Sequence, residues 1–168
     1  MTVTTPVDHT VVRVAMRVPL LRRLVGFYRH IAFDLPRTTT AVGIGLLLGI
    51  AAIRLYLLAE YDQPAYLAAY FIVLGACATL AALAMLAGRW LVIVRAGWAL
   101  GSVVALASLA MYLASRTIGL PQLPELVGRW EYAPGTLGMA LSGAFLATHF
   151  AVLTRLTVSW PMHQEWHD

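Results

Sequence analysis

The chain has 168 residues, enough for one domain, and 60% of them are hydrophobic while only 12% are charged. Soluble domains are nearer half apolar and a quarter charged, so this composition excludes a water-soluble globule and a disordered chain. The net charge of +4 comes from 12 basic residues, all of them arginine, and 8 acidic ones. Without lysine there is no lysine Schiff base, and the single cysteine, Cys77, excludes a disulfide framework and a multi-thiolate metal site.

Residues 1–37 are predicted to form a cytoplasmic segment that contains an amphipathic interfacial helix. Read as a helix, the stretch PLLRRLVGFYRHIAFDLP places its basic side chains within an arc of about 120° and its apolar ones opposite. At roughly 14 residues the helix is too short to cross a bilayer, so we expect it to lie in the membrane surface. Its basic face, which we expect to contact anionic lipid headgroups or acidic groups of a partner, comprises Arg22, Arg23, Arg29 and His30.

Four apolar windows follow this segment, and each has the length of about 20 residues that a bilayer crossing requires. They cover residues 41–59, 66–88, 90–115 and 135–158. The pattern predicts an all-α membrane protein in which residues 38–158 form an antiparallel bundle of four transmembrane helices. Residues 159–168 are predicted to be a cytoplasmic tail.

The distribution of arginine predicts the orientation of the bundle in the membrane. The N-terminal segment, the connection between the second and third windows, and the C-terminal end carry most of the arginines. The other two connections, near 60–63 and 116–134, carry four carboxylates and fewer arginines. We therefore expect both termini in the cytoplasm of a bacterial cell with the protein in its inner membrane, and these two connections on the outer side.

Small residues at helical spacing mark a smooth face on every window. Such faces allow close helix packing in lipid, where the hydrophobic effect gives helices little reason to associate. They are predicted to pack within the bundle or, alternatively, to receive helices of another protein. The packing residues are Gly45, Gly49, Gly97, Gly101, Gly138 and Ser142.

Histidines supply the candidate ligands for a cofactor or a metal. His149 is predicted to lie well inside the fourth window, where an ionisable side chain is a functional candidate, for haem or quinone contact or for a hydrogen bond across the bundle. His163 and His167 are four residues apart in the tail, a spacing that places two imidazoles on one side of a helix and suits a metal ion. Two histidines without a third placed ligand also fit a solvated interfacial tail, so no cofactor is assigned.

The connection 116–134 is long and rich in glycine, proline and aromatic residues, as loops with a function often are. It carries an RTIGLP stretch at 116–121, then Trp130 with Glu131, then Pro134-Gly135. These elements, about a sixth of the chain, resemble small four-span membrane proteins of actinobacteria. The resemblance implies the topology and no activity.

No nucleophile elbow, phosphate-binding loop, zinc-protease motif or dinucleotide fingerprint occurs in the sequence, so we expect no enzyme. The pattern favours a non-catalytic accessory subunit of a larger membrane complex, respiratory or oxidative, whose partners are other membrane subunits and anionic lipids rather than nucleic acid. Trp130 and Glu131 are the expected contacts on the outer side. The alternatives are a haem-, quinone- or metal-binding protein that uses the histidines, and a small dimeric transporter.

Overall fold

The computed structural model describes residues 36–60, 64–88, 90–128, 130, 133–154 and 156–161, except for the side chain of Glu125. The predicted interfacial helix and its basic face lie outside these residues, as do His163, His167 and Glu131. Residues 35–168 form one compact unit.

Four long helices make up most of this unit: α1 (Pro36–Glu60), α2 (Ala65–Leu86), α3 (Leu91–Thr117) and α4 (Ala133–Leu153). Each is apolar and has at least 21 residues, a length of about 32 Å or more at 1.5 Å per residue, which is enough to cross the hydrocarbon core. Prolines begin two of them, since Pro36 opens α1 and Pro64 precedes α2. The chain is an all-α, multi-pass membrane protein, as its composition predicts.

The helices form a ring in which α1 packs on α2, α2 on α3, α3 on α4, and α4 back on α1. Short connections join α1 to α2 and α2 to α3, so consecutive helices run antiparallel. We call the end with the α1–α2 connection and the 118–132 loop the loop end. The opposite end, with the start of α1, the α2–α3 turn and residues 154–161, is the tail end.

Two groups of buried side chains fill the bundle. The larger group contains Leu47, Ile50, Met85, Trp98 and Phe145, contributed by all four helices. The smaller one lies toward the loop end and consists of Leu57, Leu67 and Phe71, with Leu120 and Leu123 of the loop packed against it. The loop therefore covers the bundle at this end.

The last helix is shorter than the sequence predicts, since α4 ends at Leu153 instead of near residue 158. The backbone N–H groups of Leu156 and Thr157 both donate to the carbonyl oxygen of Ala151, at 2.9 and 3.3 Å, and such bonds end a helix by satisfying its last carbonyls. His149 consequently lies about one turn from the end of its helix, whereas its hydrogen-bond partner Ser102 lies 11 residues beyond Leu91, the first residue of α3.

Residues after α4 pack against the tail end of the bundle through Trp160. Its backbone N–H donates to Pro36 O at 3.2 Å and to Thr40 Oγ1 at 3.0 Å, and the Arg37 guanidinium lies 5.0 Å from its ring centroid. The indole also lies against Gly88 of the α2–α3 turn. Trp160 therefore joins three parts of the chain, and at least the first residues of the predicted tail belong to the folded unit.

Candidate functional site

His149 lies against the neighbouring helix α3. Its Nδ1 forms a hydrogen bond with Ser102 Oγ, and its ring stacks on Trp98 with centroids 5.3 Å apart and an interplanar angle of 27°. The side chain is half-buried. Because Ser102 holds one ring nitrogen, Nε2 is the nitrogen that remains for a ligand.

Aromatic rings extend this site into the core. Trp98 stacks on Phe145 with centroids 5.4 Å apart and an angle of 26°, and Phe145 is fully buried. The close approach of these rings depends on Gly101, because a Cβ there would lie 2.5 Å from Phe145 Cζ. The site thus consists of one imidazole held between a hydroxyl and an aromatic wall.

The metal-ligating side chains of the described residues lie apart from one another. The described residues contain no group of three or more histidine, cysteine or carboxylate side chains that could hold a metal ion. His149 is the only histidine whose side chain is described, so the geometry of the proposed pair His163 and His167 stays untested. A single imidazole provides one ligand.

The hydrogen bond between Ser102 and His149 supplies a direct test of how firmly the imidazole is held. We expect Ser102→Ala to destabilise the protein by about 1 kcal/mol, and His149→Ala by about 1 to 3 kcal/mol because it also removes the stack on Trp98. Unfolding by sodium dodecyl sulfate in mixed micelles measures both changes. Thr148→Ala, at the neighbouring position of α4 where the hydroxyl donates to Ala144 O of the same helix, is the control, and equal effects at positions 148 and 149 would contradict the assigned contacts.

The predicted packing residues separate into inward and outward positions. Gly97 and Gly101 lie at buried helix crossings, Gly49 lies against Leu141 of α4, and Ser142 is fully buried. Gly45 instead is exposed, and a Cβ there would meet no atom within 4 Å. The inward glycines serve the chain's own bundle, so they are not available to a partner's helix.

A second smooth face, which the sequence analysis does not identify, lies on the outward side of α4. Apart from Leu137, Phe150 and Leu153, which lie outside this face, the exposed residues of α4 are small and fall within an arc of about 100° at the helical repeat. They are Ala133, Ala140, Gly143, Ala144 and Ala147, which we call the α4 outer face. This face lies opposite His149, and α4 buries only three residues in the bundle while α3 buries ten.

Hydrogen bonds to backbone carbonyl oxygens hold the loop that follows α3. The buried guanidinium of Arg116 donates to Leu126 O at 3.0 Å, and Gly128 N–H donates back to Arg116 O at 3.0 Å. Tyr66 of α2 donates its hydroxyl to Pro121 O at 2.6 Å. Gly119 and Gly128 have φ values of +87° and +77°, which favour glycine, so this loop has a defined shape.

Trp130 is the one predicted partner contact that the structure describes. Its ring meets Tyr112 edge to face, with centroids 6.2 Å apart and an angle of 69°. About half of the side chain is exposed. It is thus anchored on one side and accessible on the other.

No family model, curated protein or solved structure matches the chain.

Proposed function

We propose that the chain is a non-catalytic accessory subunit of a larger assembly in a bacterial inner membrane, and that it docks through the α4 outer face. The observation that supports this proposal is the outward placement of small residues on the helix that contributes least to the bundle. We place both termini in the cytoplasm, from the arginine distribution.

The contrast between α4 and its neighbours supports a docking role for this face. Alanine and glycine make up five of the eight exposed residues of α4 but only three of ten on each of α2 and α3, where large apolar side chains such as Ile72, Leu80, Val103 and Leu106 are more frequent. Large side chains suit contact with lipid tails, whereas alanine and glycine allow another helix to approach closely and gain van der Waals contact. A helix of a partner subunit is the occupant that this surface fits.

Two further contacts belong to the proposal. The basic face formed by Arg22, Arg23, Arg29 and His30 binds anionic lipid headgroups or acidic groups of the partner on the cytoplasmic side. On the other side, Trp130 and Glu131 contact the partner above the membrane. Anchorage of Trp130 on Tyr112 supports this role, because a side chain held in place loses less freedom on binding.

The test is the native size of the tagged chain after gentle solubilisation from its own cells, with the co-migrating proteins identified. We expect the wild-type chain to migrate within a large assembly, and Ala140→Leu with Ala147→Leu to release it. The added side chains point away from the bundle, so the chain should still fold. Ala76→Leu with Ala110→Leu adds the same bulk to exposed positions of α2 and α3 and should leave the assembly intact.

Three outcomes would contradict this docking proposal. The wild-type chain could migrate alone, or the α4 variant could remain in the assembly. Equal release by the control variant would assign the effect to general bulk in the membrane instead of to the α4 outer face.

A second candidate function, contact with haem or a quinone, rests on the fixed imidazole of His149. The hydrogen bond from Ser102 and the stack on Trp98 hold the ring in one orientation, as a ligand contact requires. The absorption spectrum of the isolated chain separates the two proposals. A haem band that His149→Ala removes would favour this one.

A further inference from the structure

Arg54 points into the bundle from the inner face of α1. It follows the buried residues Leu47 and Ile50 along that face, and its guanidinium carbon lies 5.2 Å from the ring centroid of Phe71 and 5.9 Å from that of Tyr70, both on α2. The guanidinium therefore packs on two aromatic rings between α1 and α2.

The positive charge of Arg54 has no anionic partner in the described part of the chain. Its Nε is buried without a hydrogen bond, and no ion pair forms with Glu60, the one acidic residue whose side chain is described. Two aromatic faces compensate a cation only in part. An anion bound beside the guanidinium would therefore stabilise this charge within the membrane-spanning helix.

Other polar atoms lie in the same half of the bundle. The Tyr70 hydroxyl donates to the carbonyl oxygen of Ala107 on α3 at 3.0 Å, which holds the ring beneath the guanidinium. The next residue on α3, Ser108, has a buried hydroxyl without a hydrogen-bond partner among the described residues. This half of the bundle thus offers donors from α1 and α3 within apolar surroundings.

We propose that Arg54 binds a phosphate oxyanion, carried by a phospholipid headgroup or supplied as free phosphate. The planar guanidinium fits phosphate oxygens through paired hydrogen bonds, and the aromatic rings of α2 hold its plane in position. Arg54 lies six residues before Glu60, the last residue of α1, which is about 9 Å along the helix and within reach of the headgroup layer. This site is independent of docking through the α4 outer face.

The experiment measures the thermal unfolding of the full-length, delipidated protein in detergent with each ligand added. Phosphatidylglycerol tests the lipid, inorganic phosphate tests the free anion, and diacylglycerol supplies the same acyl chains without phosphate. We expect phosphatidylglycerol or inorganic phosphate to raise the melting temperature of the wild type, and diacylglycerol to leave it unchanged. Arg54→Met should lower the affinity for the ligand that acts on the wild type at least tenfold. Arg95→Met, at an exposed position near the tail end, should bind that ligand as the wild type does.

A response to phosphatidylglycerol alone identifies a lipid site, and a response to inorganic phosphate identifies a site for the free anion. The proposal is overturned if neither ligand acts on the wild type, if diacylglycerol acts as strongly, or if Arg54→Met responds equally. Binding that appears only in Asp62→Asn would also overturn it, because Asp62 would then be the counter-ion. Should Arg54→Met fail to fold, Arg54→Lys keeps the charge, loses the planar fork, and should bind several-fold more weakly.

Discussion

Gly97→Val is expected to destabilise the bundle by about 3 kcal/mol or more, the largest effect that we predict for one added side chain. A Cβ at this position would lie 2.9 Å from the backbone oxygen of Ala81 and 3.0 Å from the backbone nitrogen of Met85. Backbone atoms of a helix cannot move aside as the end of a side chain can. Valine can fit only if α2 and α3 separate, and the rings and side chains packed between them would lose contact.

Gly45→Val and Gly143→Val are the matched controls for this prediction. Each replaces a glycine inside a helix, and a Cβ at either position meets no atom within 4 Å. Differences in helix propensity therefore cancel in the comparison. Unfolding by sodium dodecyl sulfate in mixed micelles measures all three variants, and a Gly97→Val protein as stable as the controls would contradict the close contact of α2 and α3.

The number and approximate position of the membrane helices can be predicted from the sequence, because the requirement for about 20 apolar residues acts on each segment alone. All four windows match their helices to within about five residues at each end, and the start of α1 and the end of α4 differ most. The end of α4 differs because it depends on hydrogen bonds from Leu156 and Thr157 to Ala151. Those bonds depend on how the following residues return to the bundle, which hydropathy does not record.

The directions in which side chains face are not predictable in the same way. In a soluble helix polar residues mark the exposed side, but these helices are apolar around their whole circumference because lipid replaces water. Gly45 and Gly49 are one turn apart, yet only Gly49 meets another helix. Similarly, alanine is frequent on every helix, so the α4 outer face cannot be distinguished before the packing is known.

Charged and polar residues show the same limit at the candidate sites. A lone arginine near the end of an apolar segment is expected to extend toward the headgroups. That rule does not show that the Arg54 guanidinium packs on Tyr70 and Phe71 of α2, a contact between residues that are 16 and 17 positions apart. The sequence does identify His149 as a candidate, whereas its partner Ser102 becomes evident only when α3 and α4 are placed side by side.

Phe145→Ala is expected to destabilise the bundle by about 2 to 4 kcal/mol, because it removes a ring that is 0% exposed and stacked on Trp98. In a membrane the cost comes mainly from lost van der Waals contacts around the cavity, since the unfolded reference also lies in an apolar medium. Phe150→Ala, on the same helix but 64% exposed, should change stability by less than about 0.5 kcal/mol. Unfolding in mixed micelles measures both variants.

A second substitution tests whether Phe145 and Gly101 share one space. In the wild type, Gly101→Ala places a methyl group 2.5 Å from Phe145 Cζ and should destabilise the protein. In the Phe145→Ala background the same methyl group enters the space that the ring has left. We therefore expect Gly101→Ala to be neutral or stabilising there, which corresponds to a coupling of at least about 1 kcal/mol in a double-mutant cycle. Additive effects would mean that α3 and α4 do not cross at these two residues. The stack of Trp98 and Phe145 beside His149 would then not depend on Gly101.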